Sequence, residues 1–383
     1  MTDTLSPAAP GAQARRVIFI DLGRFLALVF MLYGHTVSAL LAAEYQHGTW
    51  FDVWQFQRGL TSSLFLLLSG FAFSVATSRH WGSHQRFSPA FFRRARRFGL
   101  FILLGYALHF PVPQFSLMTV ATEAQWRSFL AVDVLQLIGV TFLLVQALVL
   151  VTRSRRVFTG AAFVLAAVVL AVTHPVWAVD WSQRVPPWLA AYLSTASGSL
   201  FPVFPWAAYV FVGAALGQIY VGWGVARLAS YAWFVLFIPG AAMVAVTWFL
   251  ASLDGAPWSS DPWNFMPIQV PIRIGSCLVL LSAIAYASKR MLRLPRLYAA
   301  VAQETLLIYF VHLCIVYGSI WNGGLVLLFG ASLGPGATLV CVLLLLAAMA
   351  ALGWYWHWLK HARPRVARWT MVGVAGALVA RLL

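Results

Sequence analysis

Charge is scarce in this chain, and acidic charge scarcest: Asp and Glu number 10 in 383 residues, and charged residues of all kinds make up 9%. A soluble globule of this size needs far more polar surface. A water-soluble fold is therefore excluded and a polytopic membrane protein implied. Cysteine is nearly absent too. Cys277, Cys314 and Cys341 all fall in apolar runs, and their spacing fits neither a metal site nor a disulfide framework. No metal is expected. Internal repeats are lacking, and the longest polar connections, about residues 43–58, 79–97 and 174–199, leave no room for a soluble domain.

What is there is apolar sequence, 61% hydrophobic with a mean hydropathy of +0.81. At about 20 apolar residues per span, the runs predict helices near 17–42, 59–78, 98–112, 128–151, 157–173, 200–222, 228–252, 268–288, 297–320, 336–358 and 369–382. This is an all-α bundle of 10–11 transmembrane helices, the last being marginal. Residues 1–14, rich in Thr, Ala, Pro and Gly, predict a disordered tail. Residues 15–383 then form one transmembrane domain. The first run is too long and too charged for a signal-peptide core and is expected to stay as a helix.

The net charge of +16 would suit nucleic acid or an acidic surface in a soluble protein. Here its distribution gives topology instead, and no nucleic-acid partner is expected. With the N-terminus cytoplasmic, alternate connections hold Arg15 and Arg16, six arginines between Arg79 and Arg97, Arg153, Arg155 and Arg156, Arg227, four cations between Lys289 and Arg296, and four between Lys360 and Arg368. These are twenty of the 26 basic residues, whereas the opposite connections carry Arg58, Arg127 and Arg184. The positive-inside rule orients the bundle accordingly. In a bacterium it would lie in the inner membrane.

The first helix, "IFIDLGRFLALVFMLYGHTVSALLA", carries Asp21, Arg24 and His35. At about 100° per residue all three share one face, with His35 about 16 Å above Arg24. A charge in the membrane core costs roughly 2.5–3.5 kcal/mol on insertion scales, so this face should meet the bundle interior or a wet cavity. Asp21 and Arg24 alone would read as a boundary ion pair. His35 lies too deep for that account, and a histidine is suited to taking a proton from a hydroxyl or amine nucleophile. Other helices bring Asp133, Arg273, Glu304 and His312 to compatible heights; each alone also reads as a satisfied structural group. His47, in the outer connection "AAEYQHGTWFD", hangs over the same region. "RRARR", containing Arg93, Arg94, Arg96 and Arg97, is the densest basic cluster. Guanidinium groups bind phosphates bidentately, although the cluster also serves topology.

The sequence resembles the superfamily of integral membrane acyltransferases. "DLGRFLALVFMLYGH" has the Arg-x10-His spacing, from Arg24 to His35, of the acyltransferase-3 group, with Phe25 where that group has glycine. "LFLLLSGFAFSVA" and "FFRRARRFGLFILLGYALHF" are similar to its next signature. "DVLQLIG", "FPVFPWAAYVFVGAALG" and "TLLIYFVH" are similar to the heparan-alpha-glucosaminide N-acetyltransferase branch. The resemblance implies transfer of an acyl group, often acetyl, from cytoplasmic acyl-CoA to a carbohydrate or small-molecule acceptor across the membrane. It places Arg24 and His35 at the essential pair, and the heparan branch's outer-loop histidine near His47. On this reading His35, with His47 second and Asp133 assisting, is catalytic. Asp21, Arg24, Arg273, Glu304 and His312 bind substrate, and the "RRARR" arginines hold the acyl-CoA head. The competing class is a proton-coupled transporter of a small solute, using the same polar groups as a relay.

Overall fold

The computed structural model describes residues 17–223, 225–253, 269–291 and 294–383. The expected tail at 1–14, together with Arg15, Arg16, Pro267 and Arg293, lies outside the described residues. Eight helices among the described residues are long and apolar enough to cross a membrane, and a bent pair, counted as one span, brings the number to nine. The chain is an all-α, multi-pass integral membrane protein. Its helices are α1 (Ile18–Leu40), α2 (Thr49–Ser78), α3 (Pro89–Leu108), α4 (Val134–Val151), α5 (Arg155–Trp177), α6 (Val203–Trp223), α7 (Leu228–Leu253), α8 (Gln269–Ser288), α9 (Arg296–Gln303), α10 (Thr305–Val316), α11 (Pro335–Ala362) and α12 (Pro364–Ala380).

At the centre is α6, which is apolar on every face and buried along nearly all its length, as such a helix must be. Its contact with α2 is the most extensive in the molecule, because small residues let the two backbones touch. A Cβ at Gly213 would collide with the Leu67 carbonyl, and one at Gly70 with the Val210 carbonyl. Gly213 and Gly217 form a G-x-x-x-G step, the close-packing device of membrane helices. Ser74 Oγ donates to the Ala214 carbonyl at 2.6 Å, pinning the register. α1 packs along another side of α2 and reaches α8, α9 and α11, so it sits inside the bundle as its polar stripe requires.

Four expected elements differ. α3 starts at Pro89, nine residues before the expected start at 98, and takes the "RRARR" arginines into the helix. α2 starts at Thr49, ten residues before the expected start at 59, and draws Arg58 out of its connection into a helix. The run at 128–151 is broken: Glu123–Leu130 is a separate short helix, and α4 starts afresh behind Asp133. Asp133 Oδ1 accepts from Val134 N at 2.6 Å, and the Asp133 amide donates to Gln136 Oε1 at 3.3 Å, part of a capping box that starts a helix there. The run at 297–320 bends by 75° at Glu304, between α9 and α10.

The basic clusters gather at one end of the bundle, called here the basic end. Arg94 Nη1 donates to Thr77 Oγ1 at 2.7 Å, and its guanidinium lies 4.6 Å from the Phe73 ring centre. Arg155 Nη2 donates to the Ser78 carbonyl at 2.7 Å. At the far end, the Ala42 amide donates to the Leu333 carbonyl and the Phe201 amide to that of Val132.

Candidate functional site

The stripe on α1 meets a separate cavity at each end. At the basic end a cleft of about 150 Å³ between α1 and α2 is lined by Asp21, Arg24, Phe71, Val75 and Arg79. At the far end a larger cavity of about 500 Å³ lies among α1, α2, α4 and α10. Its polar lining consists of His35, Arg58, Thr61, Ser62, His109, Asp133, Tyr309 and Tyr317, and Phe30, Phe65 and Phe201 supply apolar walls. The size and mixed lining suit one small ligand or ligand segment. Along α1 and α2, Ala27 and Leu68 fall between the residues lining the two cavities, and both are fully buried.

His35 is fixed by its neighbour on α10. Its Nδ1 lies 3.3 Å from Nε2 of His312, and the His312 Nδ1 lies 2.9 Å from the Ile308 carbonyl one turn back. His35 lines the cavity, while His312 is wholly buried behind it. Tyr317 packs edge-on against the His35 ring, with centroids 5.5 Å apart. Asp133 is a second focus: its Oδ2 lies 3.3 Å from His109 Nε2 and accepts from the Tyr309 hydroxyl at 3.4 Å. A residue that caps α4 thus also presents a carboxylate to the cavity. Arg58 enters from α2, its stem running past Gly34 and its guanidinium 5.6 Å from the Trp54 ring centre. The Asp133 and Arg58 charges both act on His35.

Of the residues singled out in the sequence, His35, Asp133 and His312 come together here, and Asp21 and Arg24 share the basic-end cleft. The others lie elsewhere. His47 is exposed before α2 and lines neither cavity. Arg273 is buried in the core beside Tyr209 and Cys277. Glu304 is a buried anchor at the α9–α10 bend, 2.7 Å from Lys360 Nζ and 3.4 Å from His357 Nδ1. Within "RRARR", Arg94 points inward, whereas Arg93, Arg96 and Arg97 are exposed, and the Arg97 charge reaches Arg24. Among the described residues no group of three or more His, Cys, Asp or Glu is arranged to hold a metal ion.

Arg58, His109, Tyr309 and Tyr317 also line the cavity, and none of them is among the residues that the sequence singles out. Arg58 was detectable, because "TWFDVWQFQR" after Gly48 spaces its large aromatics at helical intervals and extends the next helix backward.

The family model for the catalytic region of heparan-alpha-glucosaminide N-acetyltransferase matches residues 16–245. The chain belongs to this family. Membership makes it an acetyltransferase of a membrane-embedded kind, and the matched stretch contains His35, Arg58, His109 and Asp133 while ending before Glu304 and His312. No curated protein matches the chain.

Proposed function

We propose that the protein moves an acetyl group from cytoplasmic acetyl-CoA to a hydroxyl or amine of a glycan or related envelope acceptor on the opposite side of a bacterial inner membrane. The observation that carries this reading is a histidine-bearing cavity at one end of α1 and an arginine-bearing cleft at the other, both along one helix face. The basic end is the cytoplasmic end by the positive-inside rule. Arg24 and Arg79 suit a phosphate-bearing donor, and a cleft of about 150 Å³ admits a slender arm better than a nucleotide. Arg97, exposed and with its charge reaching Arg24, would take the phosphates of the head, with Arg93 and Arg96 of the same cluster.

In the far cavity His35 accepts the proton of the acceptor hydroxyl or amine as that atom attacks the thioester carbonyl. The carbon–sulfur bond breaks, and the proton on His35 passes to the departing thiolate, so products are acylated acceptor and free thiol. Arg58 faces the charge that develops on the carbonyl oxygen, while Asp133, held by His109 and Tyr309, accepts a further acceptor hydroxyl. For the thioester to reach His35 the side chains at Ala27 and Leu68 must part.

The test is acetyl transfer from radiolabelled acetyl-CoA to envelope fractions by purified protein. General-base catalysis contributes about 10²- to 10⁴-fold, and His35→Ala should lose turnover on that scale while still binding acetyl-CoA. His47→Ala should retain it. The reverse ranking would move the base to the exposed loop before α2.

A further inference from the structure

We propose that His312 is a positioning residue that dictates which nitrogen of His35 is the base: it holds His35 as the Nδ1–H tautomer and so turns an unprotonated Nε2 toward the far cavity. This rests on the acyl-transfer reading for its purpose, though the tautomer itself does not depend on it.

The Ile308 carbonyl oxygen can only accept, so His312 Nδ1, 2.9 Å away, carries hydrogen. A neutral imidazole has one N–H, which leaves His312 Nε2 as a lone pair. That lone pair lies 3.3 Å from His35 Nδ1, which must then donate. His35 has spent its single N–H on its neighbour, and its other nitrogen is the proton acceptor. The geometry agrees with this direction, because His312 has no exposed surface and lies on the Nδ1 side of His35, while His35 itself lines the cavity. With the opposite tautomer, His35 would present an N–H to the acceptor hydroxyl and could not take its proton.

The arrangement also predicts how it fails. A proton added to the pair goes to its one free lone pair, His35 Nε2: Nδ1 goes on donating to His312, and the cavity-facing nitrogen now carries hydrogen. One protonation should therefore switch off the base without touching the donor site. The other titratable and charged groups facing the pair are Arg58 from α2, His109 beyond α3, Asp133 at the start of α4, and Tyr309 and Tyr317 at α10. None stands between the two imidazoles.

The experiment combines nitrogen-15 NMR of histidine-labelled full-length protein in detergent with kinetics of three variants, His35→Ala serving to assign the His35 signals. In the wild-type protein His35 should show a protonated Nδ1 and an unprotonated Nε2. His312→Leu should let the other tautomer appear and lower kcat by roughly 10²- to 10⁴-fold, with the KM for acetyl-CoA unchanged. His312→Gln, whose amide oxygen can accept where Nε2 did, should recover much of the loss; a filler of space alone would favour Leu equally. The fall of kcat toward low pH should be a single ionisation in the wild type and should move in His312→Gln. An Nε2–H tautomer in the wild-type protein overturns the proposal, even if His312→Leu fails to fold. Unchanged kcat and tautomer in His312→Leu overturn it too. An active His35→Ala sinks the acyl-transfer role of His35 instead, while the tautomer measurement still decides this assignment.

Discussion

Arg58 belongs with His35 by position and not by sequence pattern. It lines the same cavity from the neighbouring helix, and its stem passes Gly34 at van der Waals distance. A fixed cation facing a developing oxyanion, away from bulk water, typically supplies a factor of about 10² to 10³ in turnover. Arg58→Gln should therefore reduce kcat on that scale with little change in the KM for acetyl-CoA, and Arg58→Lys should lose less. Steady-state kinetics would decide; an effect confined to KM would make Arg58 an acceptor-binding group. Arg24, His35, Asp133 and His312 were legible in the sequence because each is an ionisable group set in apolar surroundings that would otherwise reject it. His109 was not, since it falls where hydropathy assigns a helix end, and a helix end needs no explanation for a polar residue; Arg58 was legible through the aromatic spacing before it and not through hydropathy. Glu304 was legible as buried but not for its partners. Lys360 and His357 lie more than fifty residues away, and only the fold brings them to it.

At the scale of helices, the apolar runs gave the right elements and missed their breaks. Hydropathy averages over a window and passes smoothly through Asp133 and Glu304, yet a helix restarts at each. The first break had a readable cause: Asp133-x-x-Gln136 is a capping box, and the residue that starts α4 is for that reason held at the cavity rim. The bend at Glu304 had no comparable signal; the carboxylate there is met by Lys360 of α11, far along the chain. The α2–α6 seam carries the strongest prediction at this scale. Backbone stands against Gly213 with no room for a side chain. Gly213→Leu must separate the helices that hold His35's wall and Arg58 in place, at a cost beyond the 1–3 kcal/mol of ordinary overpacking. Thermal unfolding in detergent should show a large fall in Tm or no folded protein. Gly160→Leu, where a Cβ meets nothing within 4 Å, should leave Tm close to the wild type.

For the whole molecule, the proposed transfer requires that the two cavities open to opposite sides of the membrane. On that proposal the arginine-bearing cleft faces the cytoplasm. The sequence supplies that orientation through its basic residues, and the fold collects the same residues at one end, with Arg94 and Arg155 tied to Thr77 and Ser78 of α2. Charges anchored in this way would resist crossing the membrane individually, so the bundle is oriented as one body. The arrangement can be checked in a variant whose three native cysteines are replaced by serine. Single cysteines would then be introduced at exposed positions outside the helices' packed faces. Gly82→Cys, beside the basic end and with open space around its Cβ, should react with a membrane-impermeant thiol reagent only when the cytoplasmic face is accessible. Thr49→Cys and Gln183→Cys, exposed at the far end, should react from the outer face of intact cells. Reaction of Gly82→Cys and Thr49→Cys from the same side would break the alternation of the first two helices. The basic cleft and the His35 cavity would then no longer face opposite compartments, and an acyl transfer across the membrane would have no route.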